Sequence, residues 1–158
     1  MSEHNAQVRW QLVQGDIRNG KAAQAFLEKE YSRDHEVEFS SGQKIQGSAA
    51  VGYNGNPEGV DPEAMLTAAL SSCHMLTFLA LCAVKGFVVT EYHDDASGTL
   101  EKNAEGKMLV SRIVLRPLAS FSGKAPDAEQ LHMLHERAHK SCFVSNSVRS
   151  VVDIEPRI

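Results

Sequence analysis

At 158 residues and 17.3 kDa the chain is the size of one domain, large enough to bury a real core. Its 42% hydrophobic and 23% charged residues are ordinary for a globular protein, and a net charge of −4 with a pI near 6.0 argues against a nucleic-acid or anionic-membrane partner. Three cysteines, an odd number, do not suggest a secreted disulfide framework, and the start MSEHNAQVRW has no basic region followed by an apolar run, so the cytoplasm is the expected compartment.

Residues 7–13 alternate Val8, Trp10 and Leu12 against Arg9 and Gln11 and read as a first strand. Residues 15–20 read as a turn, and residues 21–30 as a short helix with Ala22, Ala25 and Phe26 on one side. Residues 31–39 and 43–51 form an expected β-hairpin around Ser40-Ser41-Gly42, and a polar loop over 53–59 follows.

The chain is then organised around residues 61–85. Asp61 suits the free N–H groups of a first helical turn, Pro62 tolerates the first position, Glu63 meets the positive end of the dipole, and Gly86 terminates. Apolar residues from Met65 to Val84 cover nearly the whole circumference, which predicts a helix buried all round. Its length would allow a membrane span, but Thr67, Ser71, Ser72, His74 and Thr77 interrupt the run, so it reads as the central helix of a soluble core.

Beyond Gly86, residues 87–95 and 98–102 read as one long strand or a broken pair. Residues 103–106 turn it back, and 107–119 alternate as a further strand that Pro117 bends or leaves at an edge. A helix over 127–140 and a strand over 151–154 complete the chain. Strands, long helix, strands, helix, strand is the order of an α+β fold with antiparallel sheet. No repeat or linker interrupts it, so a single domain over 1–158 is expected, with 1–30 as an N-terminal strand and added short helix.

Cysteines on apolar helices are usually small hydrophobes, and Cys82 fits that well. Cys73 sits in the polar break Ser71-Ser72-Cys73-His74, where a reactive thiolate would need a cation from elsewhere in the fold, because the dipole acts only on end turns. Cys142 follows the second helix and is open to either packing or thiol chemistry. His132, His135 and His139 share one helix face with Cys142 nearby, a possible metal set, but they run over several turns beside Arg137 and Lys140 and suit a solvated helix C-terminus better. No phosphate loop, G-x-S-x-G, H-E-x-x-H or C-x-x-C is present.

Asp61-Pro62-Glu63, Met65-Leu66 and Ser71-Ser72-Cys73-His74-Met75 resemble the motif of the OsmC/Ohr family, whose reactive Cys lies ten residues after the Glu, as Cys73 does after Glu63. Cys142-Phe143-Val144-Ser145 is similar to that family's second Cys motif, with Phe143 where Pro is common. The resemblance covers most of the chain. It implies an OsmC-like fold, an antiparallel sheet wrapped around the central helix in an intertwined homodimer, and a thiol peroxidase that reduces organic hydroperoxides without metal or flavin. Cys73 would be oxidised to a sulfenic acid and Cys142 would condense with it to a disulfide, which a dithiol of lipoyl or similar type reopens. The family's Arg, held by the Glu, matches Arg33 of Tyr31-Ser32-Arg33-Asp34, while Tyr53 stands where another branch carries its Arg; His35 and His74 lie outside the familiar set. Ten residues of helix span about 15 Å, so Glu63 and Cys73 cannot touch along their own helix; either Arg33 bridges part of that gap or the site gathers groups from two copies, and an interface site in a homodimer is the expectation. An OsmC-fold redox sensor or small-ligand-binding protein is the rival expectation.

Overall fold

The structure is a computed structural model that describes residues 2–12 and 21–157. The expected turn at 15–20 and the end of the first expected strand at Val13 lie outside the described residues. The chain divides into two compact units, residues 1–62 and 63–158.

In the first unit β1 (Ala6–Arg9), β2 (His35–Phe39) and β3 (Lys44–Gly47) form an antiparallel sheet in the order β1-β2-β3, and α1 (Lys21–Leu27) lies between β1 and β2 in sequence. Val8, Val37 and Ile45 align across the sheet. The alternate positions carry Arg9, Glu36, Glu38 and Lys44, joined by ion pairs at 2.8–3.7 Å. Period-2 patterning therefore sets the register. Trp10, Phe26 and Tyr31 gather with ring centroids 4.7–6.0 Å apart, and the Trp10 indole donates to the Ser32 carbonyl at 2.7 Å.

The second unit is built on α2 (Pro62–Val84). Gly86, at φ 76°, ends it in the left-handed conformation, and the Phe87 N–H closes back on the Cys82 carbonyl at 3.0 Å. Thr67, Leu70, His74, Phe78 and Cys82, spaced by one turn, are the buried stripe. Burial all round is corrected: Leu76 is 61% and Val84 84% exposed, because the chain's own core meets only one face of the helix.

After α2 come β4 (Val88–Asp94) and β5 (Ser97–Lys102), then β6 (Met108–Leu115) and β7 (Pro117–Ser122). β4 pairs with β7 and β5 with β6, both antiparallel, so the four strands are one long hairpin whose two arms break opposite each other at 95–96 and 116. The expected single strand over 107–119 is thus two. The Arg116 N–H leaves the ladder for the Asp94 carboxylate at 2.6 Å, and Pro117 has no N–H to continue it. Gly98 lets β5 approach α2, since a Cβ there would lie 2.5 Å from Thr67 Oγ1.

Helix α3 (Ala128–Ser141) opens with a capping box: Asp127 accepts from the Gln130 N–H at 2.8 Å and Gln130 from the Asp127 N–H at 3.1 Å. β8 (Val151–Ile154) returns beside β6 in parallel, a departure from the antiparallel pairing of the other strands. Two apolar clusters form the core. Phe78, Cys82, Phe87, Leu134 and Ala138 make one, and Leu70, Ile113 and Leu115 the other.

Candidate functional site

The second unit brings Cys73 and Cys142 together from positions 69 residues apart in sequence. Cys73 lies mid-way along α2 and is half-buried; Cys142 is the C-cap of α3 and only 1% exposed. The Cys73 thiol is close enough to Cys142 to act on its ionisation. Burial pushes the Cys142 thiol up to about 11, and the neighbouring Cys73 thiol and the charge on it act in the same direction. The backbone N–H groups of Ser145, 3.3 Å from the sulfur, and of Val144 act against them by favouring the thiolate. The chain allows this because α3 ends at Cys142 and a 3₁₀ turn begins at Ser145, aiming those amides at the sulfur. Ser145 is itself held, its Oγ 3.0 Å from His139 Nδ1.

Beside the thiols lies a feature that sequence reading missed. His74 Nε2 and His135 Nδ1 are 3.0 Å apart, with the rings within 6° of parallel. His135 also stacks on Phe78 at a centroid distance of 4.3 Å. The two imidazoles are 1% and 3% exposed, so His135 is a core residue rather than the solvated group expected from its helix face. Burial holds both down to about 4, partly opposed at His74 by the charge of Asp94 and reinforced by His139; at His135 the neighbouring His74 and His132 reinforce it. Asp94 accepts from the Ser71 hydroxyl at 2.5 Å and from the Arg116 N–H, which ties α2 to the strand corner.

The other two expected site residues are not placed against the thiols within their own units. Glu63 sits in the first turn of α2, ten residues before Cys73. Arg33 belongs to the first unit, where its guanidinium lies 4.4 Å from the Tyr31 ring centroid and donates to the Tyr31 and Lys29 carbonyls. With His35, Trp10, Phe26, Tyr31 and Ser48 it lines an apolar cavity of about 530 Å³. His35 Nδ1 is 2.9 Å from the Arg33 carbonyl, so the loop that carries Arg33 is braced at that wall.

Residues 55–157 match the family described as OsmC-like protein. The chain belongs to the OsmC-like family. An OsmC-like protein of unknown function from Vibrio cholerae is 42% identical, with 99% of this chain and 100% of that one covered and a TM-score of 0.89. The fold alone is shared with the organic hydroperoxide resistance protein OhrB of Bacillus subtilis, at 16% identity, 99% and 97% coverage and a TM-score of 0.64. The same holds for an organic hydroperoxide resistance protein from Elizabethkingia anophelis, at 17% identity, 99% and 94% coverage and a TM-score of 0.69. These likenesses agree with the α+β architecture and with the resemblance that the Asp61-Pro62-Glu63 and Cys73 motifs carry. The family match begins at residue 55, so the aromatic-lined cavity of the first unit falls almost wholly outside it.

Proposed function

We propose that this OsmC-like protein is a cysteine-based peroxidase that reduces organic hydroperoxides in oxidative-stress defence. The observation that carries this reading is the pairing of a half-buried thiol, Cys73, with a buried one, Cys142, close enough for the first to act on the ionisation of the second. In the first step the Cys73 thiolate attacks the peroxide O–O bond, giving Cys73–S–OH and an alkoxide that leaves as the alcohol after protonation. In the second, Cys142 attacks the sulfenic sulfur. The S–O bond breaks, the S–S bond forms, and the Cys142 proton leaves with the hydroxide as water. A dithiol of lipoyl type then reopens the disulfide.

Oxidation itself primes the second step. A thiol near pKa 11 is ionised at pH 7 to only about one part in 10⁴. Among the causes that raise Cys142 is the charge of the neighbouring Cys73 thiolate. Conversion of the Cys73 thiolate to a neutral sulfenic acid removes that charge, while the Ser145 and Val144 amides remain. The resolving thiol is then restrained chiefly by its burial, and less once its partner is oxidised.

Arg33 and Glu63 complete the reading as the cation and its carboxylate anchor, needed because ionising an ordinary thiol fully at pH 7 gains only about 30-fold against the 10⁶-fold or more typical of enzymes. The cavity beside Arg33, walled by Trp10, Phe26 and Tyr31, suits the apolar group of an organic hydroperoxide. A second copy of the chain would cover the outward face of α2, where Leu76 and Val84 stand in water. The assembly is then a cytoplasmic homodimer. A second reading is favoured by the aromatic cavity alone: a protein that binds a small apolar ligand or senses oxidants with little turnover. Steady-state consumption of cumene hydroperoxide with dihydrolipoamide, in the wild type, Cys73→Ser and Cys142→Ser, separates them. Activity abolished by the first change and weakened by the second supports the peroxidase; an inert wild type with reduced thiols supports the ligand or sensor reading.

A further inference from the structure

The catalytic steps proposed above do not use the His74–His135 pair, yet it is a buried polar contact between the two helices that carry the cysteines. Cys73 and His74 are adjacent on α2. His135 lies two turns before Cys142 on α3. The two helices are therefore tied imidazole to imidazole beside the point where the two thiols approach.

Packing alone does not call for imidazoles here. Leucine or phenylalanine would fill the same stripe between Leu70 and Phe78 without taking polar nitrogens out of water. What a hydrogen-bonded pair adds is direction. Nε2 and Nδ1 stand at 3.0 Å, the rings are within 6° of parallel, and the stack on Phe78 at 11° blocks rotation of His135. The second nitrogen of His74, Nδ1, has no hydrogen-bond partner, so the contact to His135 is the one side-chain polar tie of a buried ring. Disulfide closure needs that kind of accuracy, with Cα atoms about 4.4–6.8 Å apart and a narrow range of dihedral angle. A misplacement of about 1 Å can cost about 100-fold in a proximity-driven step.

We propose that His74 and His135 are positioning residues, a neutral imidazole clamp that fixes α3 on α2 so that Cys142 can attack an oxidised Cys73. The charged and titratable groups around the clamp are Asp94 from β4 and His132 and His139 from α3. The inference rests on the Cys73–Cys142 exchange proposed above, but its test does not need peroxide turnover.

The reduced protein is equilibrated with glutathione redox buffers at pH 7.5, quenched in acid and resolved by intact mass. The reaction read out is Cys73–S–S–glutathione plus Cys142 thiol giving the Cys73–Cys142 disulfide plus glutathione, whose equilibrium is the effective concentration of Cys142. His74→Phe and His135→Phe are expected to lower it about tenfold or more. The double variant His74→Gln, His135→Asn, which replaces each bonded ring nitrogen with an amide group at a similar reach, is expected to return it to within about threefold of wild type. Phenylalanine variants that keep the wild-type value would overturn the clamp. Where a phenylalanine variant does not fold by circular dichroism, the folded amide variant decides alone: a wild-type value supports the clamp and a tenfold loss overturns it. A wild type that ignores cumene hydroperoxide would sink the peroxidase reading and leave this measurement standing, because glutathione disulfide supplies the oxidising equivalents.

Discussion

Cys82 and Cys142 are both buried, at 0% and 1% exposure, and burial pushes both thiols up to about 11. Their surroundings have opposite consequences. Cys82 sits among Phe78, Phe87, Leu134 and Ala138, and burial is the whole cause of its shift. Around Cys142 the burial is joined by Cys73 and opposed by the amides of Ser145 and Val144. A high thiol pKa therefore does not by itself mark a cysteine as inert. What separates the packing cysteine from the reactive candidate is whether part of the shift comes from a second thiol, as it does at Cys142.

The sharpest way to break this contrast is to delete the thiols in turn. Cys73→Ser should lower hydroperoxide turnover by about 10³-fold or more, since a serine hydroxyl supplies no thiolate. Cys142→Ser should leave the first burst of peroxide consumption intact and let Cys73 be trapped as a sulfenic acid by dimedone, visible as an adduct by mass spectrometry. Arg33→Ala should cost about 100-fold in turnover with an unchanged circular dichroism spectrum, the loss expected for one removed charge-stabilising donor. A near-normal rate would take Arg33 out of the site.

Next in size is the acid limb of stability. His74 and His135 are held near 4 in the folded chain against 6.5 in the unfolded one, so the folded state prefers them neutral. That preference stabilises the fold fully above about pH 6.5 and is lost as pH falls toward 4, because the unfolded chain then binds protons that the folded one refuses. The loss should amount to about 3 kcal/mol for the first imidazole. Urea midpoints measured between pH 7 and 4 should show this slope in the wild type and a much flatter one in His74→Gln, His135→Asn. Equal slopes would mean that carboxylates, not the clamp, set acid stability.

The parts of the molecule legible in the sequence were those with local causes. The ends of α2 follow from Pro62 and Gly86, the start of α3 from Asp127, and the first hairpin from the alternation around Val37. The corner at Arg116 was not legible, because it depends on the Asp94 carboxylate, 22 residues away, taking an N–H from the strand ladder. The imidazole pair spans 61 residues and was missed for the same reason. It did leave a trace. His74 lies four residues from both Leu70 and Phe78, and His135 four from Leu131, on the stripes that face the core. Histidines at core spacing on two helices are a signal for a buried contact, whereas counting histidines on one helix suggested a metal or a solvated end.

The smallest effect tests the inert side of the contrast. Cys82→Ala removes one sulfur from a cluster that is already closed by Phe78, Phe87 and Leu134. The transfer and cavity contributions together should destabilise by about 1–2 kcal/mol, seen as a modest fall in Tm. Hydroperoxide turnover and the effective concentration of Cys142 should not change, because the Cys82 thiol shift has no cause besides burial and so no link to Cys73. If turnover fell with the fold intact, the Cys82 cluster would have to be transmitting strain to the thiol pair through Phe78 and the His135 stacked on it. Cys82→Ala in the His74→Gln, His135→Asn background would then show whether the imidazole pair is the path.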